Sequence, residues 1–113
     1  MLTIEKLKEF GADTEEGLSR CMGNRDLYLR LVSKVADHPD FEHIGERISC
    51  HDLSGAFESA HALKGVLGNL SLTPLYDKVC EITELLRNQS EGDYRVLLDQ
   101  MSALRTELKE LIG

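Results

Sequence analysis

The fold of this chain is decided by residues 52–70, which read DLSGAFESAHALKGVLGNL. Apolar residues recur there at alternating spacings of three and four, the period that places side chains on one face of an α-helix. This stripe consists of Leu53, Ala56, Ala60, Leu63, Leu67 and Leu70. Asp52 precedes the stripe, where its carboxylate can accept hydrogen bonds from the free N–H groups of the first turn. The pattern predicts a long helix with one face in a core.

Helical periods also precede and follow this stretch, and each has a plausible start signal. Thr73 is predicted to cap the next helix, with Pro74 at its first position, where a missing N–H costs no hydrogen bond. Gly and Asp at residues 92–93 are predicted to break the chain and cap a last helix. Upstream, Asn24 can cap a helix that the His-Pro-Asp sequence at residues 38–40 ends, and the same sequence opens another.

These signals together predict an all-α protein. No segment shows a β alternation, and short connections favour antiparallel neighbours. We therefore expect an antiparallel four-helix up-and-down bundle with short additional N-terminal helices, near residues 3–10 and 13–22. The chain has 113 residues, the size of one domain. That domain is predicted to span residues 1–113, with the bundle core at about 24–112.

The composition excludes several classes of partner. A formal net charge of −7 argues against nucleic acid and against an anionic membrane surface. Three widely spaced cysteines without a C-x-x-C pair indicate reduced thiols, and no apolar run resembles a leader or a membrane span. We expect a cytoplasmic protein. Because all the apolar stripes can be satisfied within one bundle, we also expect a monomer.

One of the four histidines has neighbours that suggest chemistry. His61 directly follows the core position Ala60, so its side chain should leave the core and emerge at the surface. Lys64 lies one turn further along the same face. A neutral imidazole nitrogen can attack phosphorus, and a nearby ammonium can neutralise the oxygens of the transferred group. The pair therefore predicts a phosphoryl acceptor at His61 with Lys64 as the stabilising cation.

Two glycines on the His61 face strengthen this interpretation. Each glycine inside a helix costs about 0.5–1 kcal/mol relative to alanine. Gly65 and Gly68 therefore suggest that another protein must approach the ring closely, over a patch that also includes Phe57. The alternative is that the glycines permit close helix–helix packing, although their position off the leucine stripe argues against it.

The sequence HALKGVLGNL at residues 61–70 resembles the signature of the histidine phosphotransfer (Hpt) domain family. The resemblance extends upstream to the Asn24 region and downstream to Thr73-Pro74. It implies a phosphorelay intermediate that accepts a phosphoryl group on His61 from a receiver-domain aspartate and relays it to another receiver. The implied partners are response-regulator receiver domains and a hybrid sensor kinase. The domain would need no cofactor of its own, because the receiver would supply Mg²⁺.

One position departs from the family pattern. Residue 71 is Ser71 here, where the family commonly has glycine. If that position needs φ > 0, serine carries strain that glycine does not. This departure concerns the geometry of the turn, whereas the predicted phosphoacceptor is unaffected.

Other interpretations of the histidines remain to be weighed. The dimerisation domain of a sensor kinase usually has an acidic residue after its histidine and a proline five residues on, but this chain has Ala62 and Val66. No nucleotide-binding motif is present, so we expect no ATP binding or autokinase activity. A metal site around His43 lacks an established ligand spacing, and we expect none. The remaining rival is an inactive bundle that binds a signalling partner without phosphotransfer.

Overall fold

A computed structural model of the chain describes residues 1–89 and 93–113, and this part contains seven α-helices and no β-strand. The helices are α1 (Ile4–Phe10), α2 (Thr14–Arg20), α3 (Arg25–Val35), α4 (Asp40–Ser49), α5 (Leu53–Asn69), α6 (Thr73–Arg87) and α7 (Tyr94–Ile112). None of these helices is long and apolar enough to cross a membrane.

Two helix starts follow the predicted capping residues. Asp52 Oδ1 accepts a hydrogen bond of 2.9 Å from the backbone N–H of Gly55 at the start of α5. Asn24 Oδ1 accepts one of 3.0 Å from the N–H of Leu27 in α3. Each bond satisfies an N–H group that has no partner within its helix. Both predicted caps are thus confirmed.

Of the other two predicted starts, one is shifted by a residue and the other lacks the capping hydrogen bond. Thr73 is the first helical residue of α6 and Leu72 is its N-cap, so the predicted cap is wrong by one residue. Pro74 still falls in the first turn, where its missing N–H is tolerated. Gly92 lies outside the described residues. Asp93 is the N-cap of α7, but its side chain makes no capping hydrogen bond.

α3 and α4 together form one member of the bundle, interrupted around Pro39. Tyr28, near the start of α3, donates a hydrogen bond to the carbonyl oxygen of Leu70 just beyond the end of α5. Arg47, near the end of α4, donates to Ser59 Oγ and to the carbonyl oxygen of Gly55 at the start of α5. The pair α3–α4 therefore runs antiparallel to α5, and the interruption explains how five longer helices make a four-membered bundle.

α5 and α6 are also antiparallel, and α7 completes the bundle. Phe57, early in α5, lies beneath Arg87 at the end of α6, and Gly68, late in α5, faces Tyr76 early in α6. α7 packs against α6, and Arg105 in its second half contacts the start of α4. The predicted all-α bundle with short N-terminal helices is thus confirmed.

The core lies along the apolar stripe of α5. Ala56, Ala60, Leu63 and Leu67 have no exposed surface, Leu70 is buried and Leu53 is half-buried. The facing residues from the other bundle helices are Tyr28, Val32, Phe41, Ile44, Leu75, Val79, Ile82, Leu86, Met101 and Leu108. Burying one leucine of this kind contributes about 1.5–3 kcal/mol. The stripe thereby fixes the rotation of α5 and decides which of its residues face outward.

Candidate functional site

His61 occupies the outer face of α5, directly after the buried Ala60. Its side chain is exposed, as the sequence predicted. The imidazole stacks on the ring of Phe57, with ring centroids 5.9 Å apart and planes inclined by 16°. Among the described residues, His61 makes no hydrogen bond or ion pair. Both ring nitrogens are therefore available to a group that arrives from outside.

The ring of Phe57 is held by α6. Arg87 places its guanidinium carbon 5.8 Å from the centroid of the Phe57 ring, and the same side chain forms an ion pair of 3.1 Å with Glu84. A cation above an aromatic face is attracted by the ring's negative quadrupole. Arg87, Phe57 and His61 thus form a continuous array that links the end of α6 to the imidazole.

A cleft of about 540 Å³ opens beside His61. Its α5 wall contains His61, Lys64, Gly65 and Gly68, so the structure brings together four of the five residues proposed from the sequence. Phe57 lies outside the cleft and contacts His61 instead. The other walls come from α2 and from the first turns of α6. The cleft is therefore a surface that three helices build around one imidazole.

Lys64 stands one helical turn beyond His61 and is half-buried. Residues at this spacing have Cβ atoms about 5–6 Å apart. Within the part of the chain that the structure describes, Lys64 has no ion-pair or hydrogen-bond partner. Its ammonium can therefore reach a negatively charged group on His61 without first breaking an existing contact.

The two glycines have different surroundings. Beyond its own helical turn, a Cβ atom added at Gly65 would meet none of the described residues within 4 Å, so this position is open space beside the imidazole. A Cβ atom added at Gly68 would lie 3.0 Å from Cε1 and 3.3 Å from Cδ1 of Tyr76. Gly68 therefore lets α6 approach α5, so the sequence argument against a packing role is wrong for this glycine. Its role in docking a partner stays a prediction.

α2 contributes a second cation to the cleft. Arg20 donates from Nε and Nη2 to Glu16 Oε1, at 3.3 and 2.9 Å, and from Nη1 to Asn69 Oδ1 at 3.4 Å. Sequence reasoning missed Arg20, because a Glu–Arg pair four residues apart is usual on any solvated helix. No local signal connects Arg20 with a residue 49 positions further along the chain.

The turn between α5 and α6 contains the residue that departs from the family pattern. Ser71 has φ of 54° and is buried, and its hydroxyl has no hydrogen-bond partner among the described residues. The strain expected for serine at a positive φ is therefore present. The turn is nevertheless anchored, since the Ser71 carbonyl oxygen accepts a 3.0 Å hydrogen bond from the N–H of Asp13.

Tyr28 supports the same turn from inside. Its hydroxyl donates to the carbonyl oxygen of Leu70 over 2.8 Å, and burial raises the pKa of Tyr28 to about 12. A Cβ atom at Gly17 would lie 2.5 Å from Tyr28 Cζ, so only glycine lets α2 pack over the ring. Tyr28 thus joins α2, α3 and the end of α5 in one contact.

The described residues offer no metal centre of their own. Across residues 1–89 and 93–113, no group of three or more His, Cys, Asp or Glu side chains could hold a metal ion. In the region weighed from the sequence, His43 Nδ1 lies 3.2 Å from Asp40 Oδ1, at the start of α4. His43 is therefore the hydrogen-bond partner of the Asp40 carboxylate in the first turn of α4.

Comparison with known families decides the class of protein. The model of the Hpt domain family matches residues 26–113, which include α3 without its first residue, α4 to α7 and all five proposed site residues. The chain belongs to the Hpt domain family. Comparisons with curated proteins and with solved structures gave no match. Hpt domains carry out histidine phosphotransfer in phosphorelays, between sensor kinases and receiver domains. α1 and α2 of this Hpt domain lie outside the matched range.

Proposed function

We propose that this Hpt domain accepts a phosphoryl group on His61 from the aspartate of one receiver domain and relays it to another receiver. The observation that supports this proposal most directly is the environment of the His61 imidazole. It is exposed, it is oriented by Phe57, and neither nitrogen has a polar partner among the described residues. A nucleophile for an external phosphoryl group needs this combination of access and orientation.

The proposed transfer is an in-line displacement at phosphorus. The lone pair on His61 Nε2 forms the new N–P bond, and the bond between phosphorus and the aspartate oxygen breaks. The electron pair of that bond returns to the aspartate carboxylate, and the proton on Nδ1 stays in place. Donation to a second receiver is the reverse of this step. Positioning and charge neutralisation supply the rate, since no acid–base group is needed.

Lys64 is proposed to stabilise the phosphoryl group on His61. The group carries negative charge on its oxygens, and a charge-assisted hydrogen bond from an ammonium is about twice as strong as a neutral one. Lys64 is one turn away and has no competing partner among the described residues. Lys64→Ala should therefore slow the transfer or shorten the lifetime of phosphohistidine. If Lys64→Ala has the transfer rate and the phosphohistidine lifetime of the wild type, Lys64 does not have this stabilising role.

The receiver is proposed to dock over Phe57, His61, Gly65 and Gly68. The open space at Gly65 supports this, because a Cβ atom there would meet no other described part of the chain outside its own helical turn within 4 Å. Mg²⁺ would be held by the receiver, where it would neutralise the phosphoryl oxygens. The described residues of this chain provide no set of ligands for it.

Receiver-dependent labelling tests the proposal directly. The purified protein is mixed with several phosphorylated receiver domains and Mg²⁺, and its phosphate is tested for acid lability and base stability. We expect label on the wild type and on His51→Gln, a matched exposed histidine, and none on His61→Gln. Label on His61→Gln would contradict the site. Binding of receivers without any label on the wild type would favour the inactive adaptor.

A further inference from the structure

The cleft beside His61 extends beyond the part of the chain that matches the family. Its α2 wall, with Glu16 and Arg20, belongs to residues before position 26, whereas His61 and Lys64 lie within the match. A wall of the cleft is thus built by an element that the Hpt domain pattern does not include.

Arg20 is held in place yet remains able to bind. Its guanidinium has five N–H donors, of which three are directed at Glu16 and Asn69. The other two, one on each terminal nitrogen, have no partner among the described residues. The side chain is 50% exposed. Two bridging partners reduce the entropy that a flexible arginine would lose on binding.

α2 itself is anchored to the bundle. The N–H of its N-cap, Asp13, donates to the carbonyl oxygen of Ser71, and Gly17 packs over the ring of Tyr28. These contacts join α2 to the turn at the end of the phosphoacceptor helix. Arg20 therefore has a defined position relative to His61.

Distance separates the role of Arg20 from that of Lys64. Asn69, which Arg20 contacts, lies eight residues beyond His61, or about 12 Å along the helix at 1.5 Å per residue. The contact of Arg20 with Asn69 thus lies well beyond Lys64, which is only three residues from His61. A standard protein interface covers about 800 Å² per partner, a disc of about 16 Å radius. A receiver docked on His61 therefore covers Arg20 as well.

We propose that Arg20 is a specificity-determining contact that selects receivers carrying a carboxylate opposite it. This inference rests on the proposed phosphotransfer at His61. In a chain with a net charge of −7, Arg20 and Lys64 are the cleft-lining cations that a partner's carboxylate can pair with. Arginine also binds carboxylates with directional hydrogen bonds, which favours one partner over another.

The test compares two routes of phosphorylation in the full-length protein. Phosphorylated receivers must dock before transfer, whereas phosphoramidate reaches the imidazole as a small molecule and reports on its intrinsic reactivity. The variants are Arg20→Ala, Arg20→Glu and, as a matched control, Arg30→Ala on the exposed surface of α3. Circular dichroism and thermal unfolding verify that each variant is folded.

For Arg20→Ala we expect KM to rise about 5- to 30-fold for the preferred receiver, the range of one good interface contact. kcat should change little, and Arg20→Glu should also reorder the receivers. Arg30→Ala should match the wild type. If the wild type accepts phosphate normally but neither Arg20 variant changes KM for any receiver tested, the inference about Arg20 is overturned. The proposed phosphotransfer at His61 then still stands. Wild-type protein that phosphoramidate labels but no receiver labels would overturn the proposed function, and the inference with it.

Discussion

The ring of Phe57 lies against the imidazole of His61, four residues further along α5, with centroids 5.9 Å apart and planes nearly parallel at 16°. This is the only ring contact of His61 within the described residues, and no hydrogen bond accompanies it. The orientation of the imidazole therefore depends on packing against a hydrocarbon face. Such a contact restricts rotation of the ring and leaves both nitrogens unengaged.

Removing the Phe57 ring should slow transfer without unfolding the protein. An aromatic pair contributes about 0.5–1.5 kcal/mol beyond its buried area, so Phe57→Ala should lower the single-turnover transfer rate by about 2- to 10-fold. Phe57→Tyr keeps the stacking face and should retain most of the rate. Rapid-quench kinetics at saturating receiver measure this. Equal rates for Phe57→Ala and wild type would exclude an orienting role.

The two glycines of the site should respond in opposite ways to alanine. Gly65→Ala should raise the free energy of unfolding by about 0.5–1 kcal/mol, because the added methyl group meets nothing and helix propensity improves. Gly68→Ala should lower it, since the ring of Tyr76 must move. Urea unfolding measures both values. Shifts of the same sign would refute the different surroundings of these glycines.

Bulk at Gly65 should block docking and leave the fold intact. Gly65→Trp projects a large side chain into the open space beside His61, so a receiver should no longer reach the imidazole. We expect at least a 100-fold loss of receiver-dependent transfer, about 2.7 kcal/mol. Phosphoramidate labelling of the same variant checks that His61 remains reactive. Transfer from receivers at the wild-type rate would place the docking surface elsewhere.

Glycine at residue 71 should stabilise the protein. Ser71 has φ of 54° and a buried hydroxyl without a partner among the described residues, and Ser71→Gly relieves both. The gain should be about 0.5–1.5 kcal/mol, after part of it is offset by the greater chain entropy of unfolded glycine. Thermal unfolding of Ser71→Gly and Ser71→Ala separates the backbone strain from the cost of the buried hydroxyl, because alanine removes only the hydroxyl. A lower midpoint for Ser71→Gly would contradict the strain.

The buried hydroxyl of Tyr28 should give stability a distinctive pH dependence. Tyr28→Phe leaves the Leu70 carbonyl oxygen without its bond, at a cost of about 1–2 kcal/mol near neutral pH. The pKa of Tyr28 is raised from 10.0 to about 12 in the fold. Above pH 10 the unfolded chain loses this proton first, so the wild type loses stability between pH 10 and about 12.

Tyr28→Phe lacks that titration, so the difference in unfolding free energy between the two proteins should narrow as pH rises through this range. Urea unfolding of both proteins at several alkaline pH values measures the difference, and subtraction removes the titrations that they share. A difference that stays constant up to pH 12 would contradict the raised pKa.

Features that depend on neighbouring residues could be predicted from the sequence. The stripe along α5, the caps Asp52 and Asn24, and the outward position of His61 follow from helical periodicity and short-range hydrogen bonding. The strain at Ser71 also follows from a local rule. The predicted N-cap of α6, Thr73, was wrong by one residue, because the turn at Ser71 makes Leu72 the N-cap.

Features that depend on distant residues could not be predicted in this way. Periodicity locates α3 and α4 but does not reveal that they share one side of α5. The contact of Gly68 with Tyr76 and the hydrogen bond of Arg20 to Asn69 arise only when separate helices pack together. No spacing within a single helix encodes such contacts, so the sequence predicted the outward position of His61 but not the wall that faces it.

The join between α2 and the turn after α5 has a consequence for how such proteins diverge. The hydrogen bond from Asp13 to Ser71 uses main-chain atoms alone, so the outward side chains of α2 can mutate without loosening it. Duplicated genes can therefore rewrite a helix of seven residues and leave the helix that bears His61 untouched. If Arg20 selects receivers as proposed, changes confined to α2 would alter which receivers this domain serves and leave the proposed phosphotransfer at His61 unchanged.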